Sequence, residues 1–514
     1  MLQGQRLYLN SLVSGGLGFI TFGWDAGVLG GVLLTPSFQS AMGKYPSVTT
    51  ITMIASVFLL ASWLGCIIVS IAGMMMGRRM WIIAGSITQI LGSIVSVSSF
   101  GYGQLIAGRV LVGIGNGFLT SMIPVYVAEM AVRKEDRGRG VNAMIACASA
   151  GTALAYWTDF GMVFRTGQVV WRFPVAFQIF WALLTIGTIY FNPDTPRYYY
   201  AKSLHTEADA LLCRLYATEI SDPVVDEARK DILASLELER ASTASLRIKD
   251  FFWDTSDVQA ARRIRTGVIL VGLAYLIGTN MIFYYMTVIF QSYIGLAPLT
   301  ASGLSGAACT ILAIANFVGV AFMEKLGRRT WLMAGAVGLS IFMAAFIGCL
   351  ANPGTKTGAA AAAMLFLWIV CFAPTWGPVT YVYASEIMPL RYRHLGFALS
   401  ISSQWIMAFI TVFAGPIAIA DPKVGWKTWF WFLVFSIAAV PYVYFCCPET
   451  RGRSLEEIDL IFMSESARGS AAARQLEHGD VVSFGDLETP PSMEKTNKRI
   501  VVEEGVSDQP QLRA

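Results

Sequence analysis

The sequence predicts an all-α membrane protein of twelve transmembrane helices, arranged as two six-helix pseudo-repeats. Composition, apolar runs of membrane-spanning length and an internal repeat carry that prediction. Of 514 residues, 38 are basic and 34 acidic, so charge is 14% of the chain and hydrophobic residues are 55%. A soluble protein carries about 25% charge. A surface this poor in charge faces lipid, which excludes a soluble enzyme, a coiled coil, a collagen and a largely disordered chain. The formal net charge of +4 is small and suggests no nucleic-acid partner.

Crossing a bilayer takes about 20 mostly apolar residues, because every backbone polar group must bond within the segment. Twelve such runs are present, at about 8–34, 48–72, 80–98, 102–131, 140–162, 170–192, 266–294, 299–324, 330–350, 359–388, 395–420 and 427–447. The first is too long for a cleavable signal core, and Asp25 interrupts it. Lys and Arg orient the spans. With the N-terminus inside, the short inner loops hold eleven: Arg78, Arg79, Arg133, Lys134, Arg137, Arg139, Lys325, Arg328, Arg329, Arg391 and Arg393. The outer loops hold six: Lys44, Arg165, Arg172, Lys356, Lys423 and Lys427. Both termini are expected on the cytoplasmic side.

The expected organisation is a six-helix bundle over 1–192, a cytoplasmic linker over 193–265, a second bundle over 266–447 and a tail over 448–514. Helical periodicity with charged faces at 207–216 and 224–240 predicts short amphipathic helices in the linker. The polar stretch from about 464 to 514 is expected to be disordered. Gly77-Arg78-Arg79 returns as Gly327-Arg328-Arg329, an offset of 250. Glu129 after Pro124-Val125-Tyr126 returns as Glu386 after Pro378-Val379-Thr380-Tyr381, an offset of 257. Pro193-Asp194-Thr195-Pro196-Arg197 returns as Pro448-Glu449-Thr450-Arg451, an offset of 255. Three pairs in register indicate two parallel repeats, the architecture of alternating-access transporters with substrate near the midplane.

The chemistry-bearing residues are few. The eight cysteines and three histidines form no CxxC and no cluster with metal-ligand spacing. The glycines 108, 113, 115 and 117 lie inside an apolar run with no strand before them, so they read as helix packing and not as a dinucleotide loop. There is no GxxxxGK[ST] and no nucleophile–base pair. No cofactor, metal or catalytic site is expected. Asp25 and Arg109 are charges well inside spans, and such residues are functional candidates. They lie at similar depth on antiparallel helices, so an ion pair is allowed. Protonation of Asp25 would release Arg109; a purely structural pair is the alternative. Substrate contacts require polar or aromatic groups at mid-depth, where Asn280, Trp376 and Trp405 converge.

Together FGWDAGVLGG (22–31), GRVLVGIGNG (108–117), PVYVAE (124–129), PDTPR (193–197), EKLGRR (324–329), GPVTYVYASEIMPLRYR (377–393) and PETRGRSLEEID (448–459) resemble the sugar porters of the major facilitator superfamily, in their fungal branch. The resemblance covers about residues 8–460. It implies a sugar or polyol carrier of the plasma membrane, with Asp25 and Arg109 as the proton-coupling pair. It implies substrate contacts at Asn280, Gln404, Trp405, Trp376, Tyr381, Tyr284 and Phe22, with Tyr284 and Tyr285 at the outer gate. It also implies a cytoplasmic gate of Glu129, Arg137, Glu324, Arg328, Glu386, Arg393 and Arg78. The chain departs from the family's gate pattern at Met74, where an acidic residue is usual, and from its sugar-contact pattern at Ile145, Ala274, Tyr275, Leu312, Tyr381 and Ala408, so much of the usual hexose hydrogen-bonding set is absent. Facilitated passage without a proton, another polyol or an organic acid as substrate, and a sensor that binds without transporting are the alternatives.

Overall fold

Helix is the backbone's answer to a medium without water. In the computed structural model, which describes residues 3–43, 47–73, 75–244, 253, 259–352, 354–389, 393–452, 458, 461 and 462, no strand occurs among the described residues. The side chains of 134, 135, 137, 238–244, 319–325, 355 and 393–395 lie outside the description. The first half has spans Gly4–Val32, Val48–Ala72, Arg78–Val97, Tyr102–Met130, Lys134–Met162 and Val169–Tyr190. The second has Ala260–Leu276 continued by Thr279–Val288, then Pro298–Leu326, Arg328–Ala351, Thr355–Glu386, Arg393–Ala420 and Trp429–Cys446. Eleven are long and apolar enough to cross a bilayer. The fifth, Lys134–Met162, is the twelfth of the set; its Ala, Gly, Ser and Thr residues lower its hydropathy and let neighbours approach. The linker carries helices Pro196–Ala201, His205–Tyr216 and Pro223–Ala244. The tail beyond 462 lies outside the described residues.

The repeat is visible in the packing. In the first half, span 1 packs on 5, 2 on 4, and 3 on 4 and 6. In the second, 7 packs on 11, 8 on 10, and 9 on 10 and 12. It is also visible atom by atom at one end of the bundle, the end carrying the start of span 1 and the end of span 12. We refer to it as the terminal face. There the Asp194 carboxylate accepts from the backbone N–H groups of Arg78 (3.0 Å) and Arg79 (3.3 Å), which open span 3. Glu449 does the same for Arg328 (2.8 Å) and Arg329 (3.0 Å), which open span 9. Arg79 donates to Tyr190 O and Arg329 to Tyr444 O. Tyr126 donates to Pro193 O and Tyr383 to Pro448 O. A carboxylate at a helix start satisfies orphan amides and meets the positive end of the helix dipole. Burial still pushes the Asp194 carboxyl above its usual range, against its amide donors and Arg78.

Lipid supplies no hydrophobic drive for helix association, so close packing must do so. A Cβ on Gly23 would sit 1.7 Å from Ala148 O of span 5, and one on Gly117 2.3 Å from Ser62 O of span 2. Backbone meets backbone at both crossings. Prolines are tolerated where another group uses the freed carbonyl. Pro378 has no N–H to offer Pro374 O, and the Trp331 indole donates to it instead at 2.7 Å. Below the membrane spans, Tyr200, Ala208, Leu212, Val225 and Leu236 form a small apolar core among the linker helices. Tyr200 and Arg229 both donate to Asp209 there. Burial, then the bond to Asp209, push the Tyr200 hydroxyl up to about 12.

Span 7 departs from the continuous helix expected over 266–294. Gly278, at φ +100°, breaks it, and Tyr285 (φ −121°, ψ 21°) and a π-helical turn at Ile289–Tyr293 kink it again. Only glycine adopts the first of these conformations without strain. Thr279 Oγ1 donates to Ala274 O at 2.6 Å, taking up a carbonyl beside the break.

We expect Glu449→Ala to destabilise the detergent-purified protein by about 1–3 kcal/mol, since two helix-start amides lose their acceptor. Glu449→Gln should lie between it and wild type. Thermal unfolding followed by tryptophan fluorescence checks the order. An unchanged midpoint for Glu449→Ala would show that the cap is not structural.

Candidate functional site

A cavity of about 130 Å³ lies between the two halves. One water needs about 10–15 Å³ of such space. Phe22, Gly23 and Ala26 of span 1, Leu59 of span 2 and Ile145, Ser149 and Thr152 of span 5 form its first wall. Spans 7, 8, 10 and 11 form the other. All seven substrate residues expected from sequence line it: Phe22, Asn280, Tyr284, Trp376, Tyr381, Gln404 and Trp405. The break at Gly278 is what lets span 7 present Asn280, Phe283 and Tyr284 together. No charged side chain lines the cavity among the described residues.

Its walls combine aromatic faces with a short list of polar groups. Phe22 meets the edge of Trp405 across the halves, with ring centroids 5.8 Å apart. Trp376 is held from behind by its bond to Leu332 O at 3.0 Å. Tyr381 donates to Gln404 Oε1 at 2.6 Å and also meets the Tyr275 hydroxyl at 2.5 Å. Asn316 Nδ2 donates to Ser149 Oγ at 2.7 Å, bridging spans 8 and 5. The Trp405 indole N–H, the Tyr284 hydroxyl and Asn316 Oδ1 have no protein partner. These are groups a ligand can satisfy.

The buried pair is present. Arg109 Nη1 lies 3.1 Å from Asp25 Oδ1, with side chains 3% and 0% exposed. Asp25 is seven residues from the end of span 1 and Arg109 seven from the start of span 4, about 10 Å in each case. The pairing is one-pronged. Asp25 Oδ2 and Arg109 Nε and Nη2 have no partner, and the guanidinium lies 4.7 Å from the centre of the Phe58 ring. A bidentate fork would use both oxygens. This arrangement leaves one carboxylate oxygen open.

At the terminal face, Arg78 reaches Glu129 at 3.2 Å, and Arg197 of the linker lies 3.9 Å from the same carboxylate. Arg328 reaches Glu386 at 2.9 Å, and Thr450 donates to the other Glu386 oxygen at 2.7 Å. Each pair ties elements within one half. The Arg137, Glu324 and Arg393 side chains lie outside the described residues.

Sequence reasoning did not single out three features. Asp194 and Glu449 cap spans 3 and 9, although their place in the repeat was a readable signal. Tyr156 of span 5 donates to Phe283 O of span 7 at 2.6 Å, and Trp157 donates to Thr310 of span 8 at 2.9 Å. Both bonds join the two halves toward the end away from the terminal face; the Tyr156 bond is buried and ends on Phe283, which lines the cavity, while Trp157 is exposed. Asp159, three residues from the end of span 5, is 4% exposed and accepts from Gly31 N at 3.1 Å.

Two packed six-helix repeats around a central, uncharged cavity define a secondary-transporter architecture. The sugar (and other) transporter family matches residues 13–462, and the chain belongs to it, within the major facilitator superfamily. It is 30% identical over 502 residues to Sugar transporter STL1 of Saccharomyces cerevisiae, covering 95% of this chain and 87% of that one. It is 30% identical over 466 residues to the low-affinity glucose transporter HXT1 of the same yeast, covering 86% and 79%. The solved proton:xylose symporter XylE, bound to 6-bromo-6-deoxy-D-glucose, shares the fold: TM-score 0.75 at 20% identity, over 89% of this chain and all of that one.

We expect Tyr156→Phe to raise the population open on the side away from the terminal face by about two- to tenfold, the worth of one net hydrogen bond. The check is the rate at which an impermeant thiol reagent, added from that side, modifies a cysteine introduced at Asn280. An unchanged rate would mean the Tyr156 bond does not hold the closure.

Proposed function

We propose that this protein moves a sugar or related neutral polyhydroxy compound across the plasma membrane by alternating access, coupled to proton movement, with the terminal face and both chain ends in the cytoplasm. The observation that carries the reading is the cavity itself: aromatic faces for the C–H surface of a sugar, neutral hydrogen-bonding groups for its hydroxyls, and no charge to favour an organic acid. The relatives' names, a sugar transporter and a glucose transporter, support the substrate class. The Lys and Arg bias supports the orientation.

The proposed cycle follows from the bonds between the halves. When the bonds at Tyr156 and Trp157 open, substrate enters and contacts Asn280, Gln404, Trp376, Trp405, Tyr381 and Phe22. A proton taken by the open oxygen of Asp25 neutralises it and weakens its hold on Arg109. Tyr284 and the outer part of span 7 then close over the substrate. The charge clusters Arg78–Glu129 and Arg328–Glu386, with Arg137, Glu324 and Arg393 close in sequence, act as the gate at the cytoplasmic side. The fold shared with a proton:xylose symporter is compatible with this coupling.

Uptake in a host lacking its own sugar carriers tests the reading. Asp25→Asn, which mimics the protonated form, should lose accumulation driven by an imposed proton gradient while keeping exchange at equal concentrations. Accumulation by the variant at the wild-type level would make the pair structural and the protein a facilitator.

Asn280→Ala and Trp405→Ala should each raise the half-saturation concentration about tenfold or more at normal surface expression. Few polar groups remain in the cavity, so each contact has a larger share. Wild-type kinetics in both would move the substrate elsewhere.

A further inference from the structure

The wall formed by spans 7, 10 and 11 contains three polar side chains in series, and with the Gln404 carboxamide oxygen turned to Tyr381 the hydrogen count gives their order. Tyr381 gives its one hydroxyl hydrogen to Gln404 Oε1. Its oxygen can therefore only accept from Tyr275, whose hydroxyl is the other member of the 2.5 Å contact. The relay runs Tyr275 to Tyr381 to Gln404, one residue from each span, and all three line the cavity. The carboxamide oxygen of Gln404 is thereby consumed. Its nitrogen makes no hydrogen bond among the described residues, and the neighbouring Trp405 indole N–H is also unpartnered. On span 8 of the same wall the sense is opposite. Asn316 has spent an N–H on Ser149, and its Oδ1 is unpartnered.

We propose that Tyr275 and Tyr381 are specificity-determining positioning residues: they hold the Gln404 carboxamide with its nitrogen toward the cavity, so that Gln404 donates to the substrate while Asn316, on span 8 of the same wall, offers an acceptor. This rests on the transport reading above and deepens it. The substrate is a neutral compound recognised at one position as a hydrogen-bond acceptor. A hydroxyl serves there through its lone pairs, and its own hydrogen is not read. Donation along a hydrogen-bonded chain polarises each member, so Tyr275 strengthens the hold of Tyr381 without touching substrate.

The test uses deoxy and fluoro analogues of whichever sugar the wild-type protein takes up fastest from a panel. Fluorine accepts weakly and cannot donate. At one ring position the wild type should accept the fluoro analogue within about threefold of the parent KM, while the deoxy analogue is about tenfold worse, as expected for loss of one buried bond. Tyr381→Phe frees the carboxamide to turn and should bring the two analogues to nearly equal KM. Tyr275→Phe should shift the ratio in the same direction by less. Gln404→Glu keeps an acceptor for Tyr381 and has no donor, so it should lose the fluoro preference while remaining monodisperse on gel filtration. If Tyr381→Phe leaves the fluoro-to-deoxy ratio unchanged at every position, or the wild type rejects fluoro and deoxy alike, the relay does not set specificity. If the wild type takes up no sugar or polyol at all, the transport reading itself fails, and this proposal with it.

Discussion

Two carboxylates hold this architecture in register. Asp194 and Glu449 each close on the first two amides of a helix that begins more than a hundred residues away in sequence. Each therefore joins the end of the last span of its half to the start of the third. The arginines at that start reach the fourth span through Glu129 or Glu386, and they reach back to the last span through Tyr190 O or Tyr444 O. Three span ends are fixed by one charged node. Partly buried, charge-assisted bonds of this kind exceed neutral ones roughly twofold, so each half behaves as a unit at this face.

The contacts between halves are of a different kind. Tyr156 to Phe283 O, Trp157 to Thr310, Asn316 to Ser149 and Trp63 to Ser402 are all neutral hydrogen bonds. Each contributes about 0.5–1.5 kcal/mol net. Charged bonds within the halves and neutral bonds between them suit a molecule whose halves move as bodies. Rearranging the interface costs a few such bonds, while taking apart a half costs ion pairs and backbone-to-backbone helix crossings such as Gly23 on Ala148.

Much of this was legible in the residues because a bilayer restricts the choices. Span positions follow from apolar length, and the two halves follow from three motif pairs at offsets of 250 to 257. Of the seven cavity residues, Asn280, Trp376 and Trp405 could be named from mid-depth position and side-chain type, and Gln404, Tyr381, Tyr284 and Phe22 from the resemblance to the sugar porters. The rest depends on tertiary geometry. Gly278 reads in sequence like any packing glycine, and only its φ of +100° shows that span 7 breaks there. Tyr156 reads as a helix aromatic until span 7 is seen to offer it a carbonyl beside the kink. Tyr275 and Tyr381 read as losses of the usual hexose partners. In three dimensions they bond to each other and to Gln404, which turns two departures from pattern into one element. Glu129 was expected in one gate with Arg78 and Arg137; among the described side chains it meets Arg78 and also Arg197 of the linker, which the fold brings in.

The buried pair and the cavity are joined by one side chain. Tyr284 lines the cavity, its hydroxyl has no hydrogen-bond partner, and it lies within the electrostatic field of both Asp25 and Arg109. It sits on the short helix Thr279–Val288, between the break at Gly278 and the kink at Tyr285. A ligand that takes up the Tyr284 hydroxyl fixes this short segment. A change in the charge of Asp25 alters the field in which that hydroxyl is oriented. If both events act on the same segment, as the proposed function has it, each changes the free energy of the other, and such coupling is reciprocal. On the proposed reading, this is how occupancy of an uncharged cavity and the charge of a carboxylate outside its lining become one equilibrium, with the discontinuity of span 7 as the element that both bias.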